Sequence, residues 1–283
     1  MFSLCENNNT GKSVKIGKQT FRTSAISTSN AQTILVRGRD LCEELIGKIS
    51  FTDHVWLLVT GELPTASQRR VLDATLVAIA EHGLVPSVQA SRMTLAAAPE
   101  ALQGAVAAGI LGCGSVILGA AEAAGQLLTE VLERAKATSL DRAATEIVRE
   151  HRVSGRAIPG YGHPLHKGHD PRALRLIEIA REAGSAGAYL DAAGAIERVL
   201  PELLGKPLAM NVSVAIPAVL LDAGYPLLAL KGVPILARTA SLIAHLLEEQ
   251  QRPIGFVMSN AASEAIDYEG ITPAGFEPDR DQQ

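Results

Sequence analysis

The chain has 283 residues, with 26 lysines and arginines against 30 aspartates and glutamates, for a formal charge of −4. That balance leaves no basic stripe for neutralising phosphates, which argues against a nucleic-acid partner. Aromatic residues make up only 4% while alanine, leucine and glycine abound, a composition that favours closely packed helices over a sheet-rich sandwich.

The chain begins MFSLCENNNTGKSVK, which has no basic start followed by an apolar core, so residues 1–22 read as a flexible lead-in and not a secretory signal. A short hairpin is allowed around 13–36. Apolar residues at three-and-four spacing predict helices over 40–48, 53–60, 67–82, 115–135, 140–152, 171–183, 187–199 and 233–250. Gly83, Gly184, Gly205-Lys206-Pro207 and Gly224-Tyr225-Pro226 punctuate them. The expected class is therefore all-α. The uncharged run 101–121 is long enough to span a bilayer, but Gly104, Gly109, Gly112, Gly114 and Gly119 suit close helix contact instead, so it is expected to be a buried helix in a tight bundle and no membrane is implied. Cys5, Cys42 and Cys113 are odd in number and far apart, which points to a reduced, cytoplasmic setting.

The most informative stretch is Gly160-Tyr161-Gly162-His163, followed by Asp170-Pro171-Arg172. Two glycines let a ligand lie against bare main chain, the imidazole exchanges a proton near neutral pH, and the arginine offers a planar fork for a carboxylate. A glycine-rich turn with a capping histidine is the plainer alternative. His163, His166 and His169 share metal-like spacing, but Pro164 and Pro171 interrupt the helix that would align them and no cysteine or carboxylate completes a set, so no metal is expected.

At these residues the sequence resembles the citrate synthase superfamily, including its citryl-CoA lyase branch. The resemblance runs from about Thr23 to Arg252 and rests on an ordered series. Arg37-Gly38-Arg39-Asp40, Ile46-Gly47-Lys48-Ile49-Ser50-Phe51 and Leu57-Leu58-Val59-Thr60-Gly61-Glu62-Leu63-Pro64 open it, then come Glu81-His82-Gly83, the AIPGYGHPLHKGHDPR segment, Ala237-Arg238-Thr239-Ala240 and Arg252-Pro253. The resemblance implies a large helical domain, 23–124 and 226–283, interrupted by a smaller one, 125–225, with substrate in the cleft. It implies that His163 and His82 act at the oxygen end of the substrate and that Arg172, Arg238 and Arg252 hold its carboxylates. Arg252 would reach a neighbouring subunit, implying a homodimer. Coenzyme A, present as a thioester substrate and not as a permanent cofactor, would lie along Ile158, Pro159, Gly160, Tyr161 and Gly162, with Lys167 and Lys206 at its phosphates. Each has a plainer reading: His82 as a helix cap, a lone arginine as a surface ion pair, the lysines as ordinary exposed side chains.

Two positions depart from the family's pattern. Ile117 stands where synthases carry the histidine that stabilises the acetyl-CoA enolate, and Ser213, in Asn211-Val212-Ser213, stands where an aspartate transfers the proton at carbon. Isoleucine cannot hydrogen-bond an enolate, and a serine hydroxyl has no useful carboxylate pKa. The lyase branch also lacks the histidine, so the expected activity is citryl-CoA lyase-like: making or breaking the carbon–carbon bond between an acyl-CoA and a 2-oxo acid. Citrate or 2-methylcitrate synthase and a non-catalytic binder of coenzyme A and dicarboxylates are the alternatives.

Overall fold

The computed structural model describes residues 22–114, 119–162 and 170–276, in two compact units, Met1–Ile49 and Ser50–Gln283. In the first unit, strands β1 (Ser27–Ser29), β2 (Ile34–Val36) and β3 (Arg39–Asp40) form an antiparallel meander with Ser27 opposite Val36 and Val36 opposite Arg39. The β2–β3 turn is made by Arg37 and Gly38, both at positive φ (50° and 78°), the two-residue geometry whose twist matches that of the strands. Of the hairpin expected around 13–36, residues 13–21 lie outside the described residues, and the described strands span 27–40. Asp40 then accepts from the amides of Cys42 and Glu43, both at 2.9 Å, capping a five-residue π-helical turn, Leu41–Leu45, where a helix over 40–48 was expected.

Among the described residues the named elements of the second unit are all helices, so the all-α expectation holds. Reciprocal capping boxes start its first two helices: Ser50 with Asp53 at α1 (Phe51–Thr60), and Thr65 with Gln68 at α2 (Ala66–Ala80). Next come α3 (Pro86–Ala97), α4 (Leu102–Leu111), α5 (Gly119–Ala135), α6 (Leu140–Val153), α7 (Pro171–Glu182), α8 (Ala188–Leu204), α9 (Val212–Asp222), α10 (Gly232–Gln251) and α11 (Gly255–Ala265). The run 101–121 is not one helix. It ends as α4 at Leu111, with Ala105 and Gly109 the only residues of that helix buried, and α5 starts at Gly119. Close contact is nevertheless what Gly109 provides: a Cβ there would lie 2.7 Å from a Leu242 methyl of α10.

Helices α3, α9 and α11 carry no clear period. The segment Val214 to Leu221 of α9 is buried on every side, packed by α2, α5, α7 and α8, so no polar face marks it. Helix α3 hides for the opposite reason, since it buries Ser87, Ser91 and Arg92 along with Val88 and Leu95. Of the core clusters, one draws all its buried members from residues 124–218, and another joins α1, α2, α7, α9 and α10 through Trp56, Leu72, Leu176, Leu220 and Val233. The stretch Leu227–Gln251 is long and apolar enough to cross a membrane by length and composition, yet it supplies Val233, Ala237, Leu242 and Leu246 to the protein core.

Candidate active site

The glycine turn is held by a second segment that the sequence places fifty residues later. Tyr161 and Met210 form an antiparallel bridge, the Gly162 amide donates to Ala209 at 2.9 Å, and the Asn211 amide donates to Gly160 at 2.9 Å. Asn211 closes the frame: its side-chain amide donates to the Gly162 carbonyl at 2.6 Å, while its side-chain oxygen accepts from Ser213 at 2.8 Å and so caps α9. The residue preceding His163 and the altered position 213 are thereby tied to one asparagine. Gly160 has φ 88°, and a Cβ there would sit 2.3 Å from the Val214 Cβ. Left-handed strain and backbone-level overlap add, so Gly160→Ala is expected to destabilise the protein by about 3 kcal/mol or more, measured by urea unfolding.

The side chains around this turn point into the protein. Ile158 and Tyr161 belong to the core, and the Tyr161 hydroxyl donates to the Ala193 carbonyl at 2.8 Å. Burial, aided by the Glu197 charge, pushes that phenol well above its ordinary pKa, so it stays neutral. Ile158, Gly160 and Tyr161 are buried, main chain included, and Pro159 and Gly162 are the partly exposed residues of this turn.

Asp170 stands in the motif without a role assigned from the sequence, and it organises the site. Its carboxylate, 1% exposed, accepts from the Arg172 amide (3.1 Å), Nε (3.0 Å) and Nη2 (2.9 Å), and from the Val212 amide at 3.0 Å. One buried anion therefore caps α7, orients Arg172 and ties the start of α9 to both. The fork expected to be free for a ligand is already engaged through two of its five N–H groups, which leaves both hydrogens of Nη1 and one of Nη2. Burial raises the Asp170 pKa, and the Arg172 guanidinium with the Val212 amide more than offsets it, leaving the carboxyl below its ordinary value. With a folded pKa below the unfolded one, its stabilising contribution is present above the ordinary carboxylate range and is lost as pH falls through the folded pKa. Asp170→Asn is expected to cost about 3 kcal/mol at pH 7 and to flatten the loss of stability on acidification, read by melting from pH 7 to 3.

The Glu81-His82-Gly83 segment meets α10. Helix α2 stops at Ala80, and extended Glu81 and left-handed Gly83 (φ 69°) turn the chain, leaving exposed His82 between them. The Glu81 carboxylate accepts from the Gly83 amide, the Ser241 hydroxyl and, at 3.0 Å, His245 Nε2. Arg238, Ser241 and His245 lie on one stripe of α10 at helical spacing. Arg238 is 8% exposed, and its Nη1 has no hydrogen-bond partner among the described residues. Burial pulls its pKa below the ordinary value; the charge of nearby Arg172 adds to this, while Cys113 and Glu81 oppose it in part. Two cations within each other's field, one of them buried with an open donor, form an arrangement that an anion completes.

The remaining expected residues stand apart. Arg252 terminates α10 fourteen residues after Arg238, about 21 Å along the helix axis and beyond the reach of one arginine side chain. Lys206 is exposed just after Gly205 at the end of α8. His163, Lys167 and Ile117 lie outside the described residues, as do His166 and His169. No group of three potential metal ligands occurs among the described residues.

The family described as citrate synthase, C-terminal domain, matches residues 66–255. A citrate/2-methylcitrate synthase of Bacillus subtilis is 29% identical over 209 residues, covering 71% of this chain and 53% of its own length. A citrate synthase of Haloferax volcanii is 27% identical over 197 residues, covering 69% and 50%, so the chain spans about half the length of these curated relatives. The solved citryl-CoA lyase of Hydrogenobacter thermophilus is 32% identical with a TM-score of 0.80, over 90% of this chain and 97% of that one. An ATP citrate lyase of Methanosaeta concilii in complex with (3S)-citryl-CoA shares the fold at TM-score 0.70 and 23% identity, over 91% of this chain and 42% of that one. A family match over well more than half the residues, on a fold shared almost end to end with a citryl-CoA lyase, makes this chain a member of the citrate synthase superfamily.

Proposed function

We propose that the protein is a citryl-CoA lyase-like enzyme that makes or breaks the carbon–carbon bond between an acyl-CoA and a 2-oxo acid. The observation that carries this reading is the buried Arg238, whose Nη1 has no hydrogen-bond partner among the described residues and which lies within the field of Arg172 and of Glu81, the neighbour of His82. A dicarboxylate supplies the missing anion. The likeness to a citryl-CoA lyase over nearly the full length of both chains favours cleavage over synthesis, since the synthases matched are about twice as long. In cleavage, His163 takes the tertiary hydroxyl proton, the carbon–carbon bond breaks to release oxaloacetate, and the acetyl-CoA enolate receives a proton at carbon. Coenzyme A lies along the main chain of Ile158 to Gly162, with Lys167 and Lys206 at its phosphates.

The core cluster confined to residues 124–218 supports treating 125–225 as a smaller domain that closes the cleft. The distance between Arg252 and Arg238 supports a homodimer in which Arg252 completes the site of a second copy. We place the protein in the cytoplasm. Incubation with citryl-CoA, and separately with acetyl-CoA plus oxaloacetate, tests the activity by formation of acetyl-CoA in the first and of citryl-CoA in the second, with free coenzyme A in the second marking thioester hydrolysis and so a synthase; no turnover in either direction would sink it. Ser213 at the start of α9 favours a second reading, a non-catalytic binder of coenzyme A and dicarboxylates, which predicts tight binding of both ligands without turnover.

A further inference from the structure

Helix α10 ends in a buried charge cluster that none of the expected site residues explains. Arg92 of α3 is 2% exposed; its Nε donates to Glu249 at 2.6 Å, its Nη1 to Glu248 at 2.6 Å, and its Nη2 to the Arg252 carbonyl at 3.1 Å. Glu249, equally buried, accepts from the Ile254 amide at 3.0 Å and the Gly255 amide at 2.7 Å. The turn 252–255 is thus gripped from both sides, by a guanidinium on its first carbonyl and by a carboxylate on the amides that begin α11. It is also pressed onto α3, since a Cβ at Gly255 would lie 2.5 Å from the Ala96 Cβ and 3.0 Å from the Arg92 carbonyl. From this clamped backbone the Arg252 side chain projects outward, exposed and with no hydrogen bond or ion pair among the described residues.

A buried ion pair adds little to stability over well-packed apolar residues, because desolvating two charges offsets most of their attraction. What Arg92 and Glu249 supply in excess of apolar packing is geometry: directional bonds to one carbonyl and two amides around a single residue. We propose that Arg92 and Glu249 are positioning residues that aim Arg252 into the ligand site of a second copy of the chain. This rests on the reading of Arg252 as a carboxylate ligand acting between subunits.

The test uses the paired variant Arg92→Met with Glu249→Gln, which leaves no lone buried charge, and titrates citrate in the presence of coenzyme A by calorimetry well below the melting temperature. Affinity is expected to fall about ten- to a hundredfold, the scale of misplacing a binding group by an ångström. Arg92→Lys, which keeps the charge but not the fork, should fall in between, and it serves if the paired variant does not fold. The decisive measurement is a purified hybrid dimer joining a paired-variant chain to an Arg238→Ala chain. The first has an intact cleft and a misaimed Arg252, the second a dead cleft and a well-aimed Arg252, so the hybrid should regain one site of wild-type affinity. A control hybrid of Arg252→Ala with Arg238→Ala should do the same. Unchanged affinity in the paired variant, or a dead paired-variant hybrid beside a restored control, overturns the positioning role and leaves the shared site standing. A dead control hybrid overturns both.

Discussion

Replacing Arg238 with methionine is expected to make the unliganded protein more stable and the liganded protein harder to form. The guanidinium is 8% exposed with no partner for Nη1 among the described residues, and burial together with Arg172 already holds its pKa below the ordinary value. An unsatisfied buried donor costs about 1–3 kcal/mol, and methionine, with a similar unbranched stem, removes that cost without opening a large void. A gain of about 1–2 kcal/mol would raise the melting temperature by a few degrees. The same change deletes a desolvated cation from the proposed carboxylate site, so citrate or oxaloacetate should bind about two decades more weakly. Melting and calorimetry on one preparation read both effects. A variant that loses stability and keeps affinity would show that Arg238 has a structural partner and is no ligand.

The second large effect is expected at position 213. Ser213 occupies the first turn of α9, its amide is held by Asn211, and the neighbouring Val212 amide is held by the Asp170 carboxylate. The nearest carboxylate by hydrogen bonding, Asp170, accepts four bonds, so it has little capacity left to shuttle a proton. Ser213→Asp restores a titratable group on a backbone already fixed. The helix N-terminus favours a carboxylate there, so the variant is expected to fold. The proximity of anionic Asp170 works in the opposite direction and keeps the new carboxyl able to carry a proton closer to neutrality. A placed general acid or base contributes about two to four decades, so single-turnover cleavage of citryl-CoA should accelerate by that order with binding little changed. Binding without cleavage in wild type and variant alike would favour the non-catalytic reading. Rapid wild-type turnover that falls in the variant would show that a different group carries the proton.

Much of the fold was legible because helices packed on one side display their burial as a period. Helices α5, α6, α7 and α10 lie close to where the spacing predicts them, and the ordered motifs, from Glu81-His82-Gly83 to Arg252-Pro253, identify the superfamily before any coordinate is known. That period vanishes where burial is not one-sided. Helix α9 is covered on all faces, α3 turns polar residues inward, and the glycines of 101–121 mark a helix end as well as a close contact. Composition and residue order by themselves determined the helical class, the acidic balance, the kinship and the residues to examine, since those follow from short-range propensity and from motifs that survive in one dimension. Only the tertiary structure decided what those residues are free to do. Asp170 claims two nitrogens of Arg172, Arg238 keeps a donor without a partner among the described residues, Asn211 ties Gly162 to Ser213, and Arg252 is carried away from Arg238 by about four turns of one helix. Pairing and desolvation of charges are set by neighbours distant in sequence, and no spacing along the chain encodes which partner a buried charge will find.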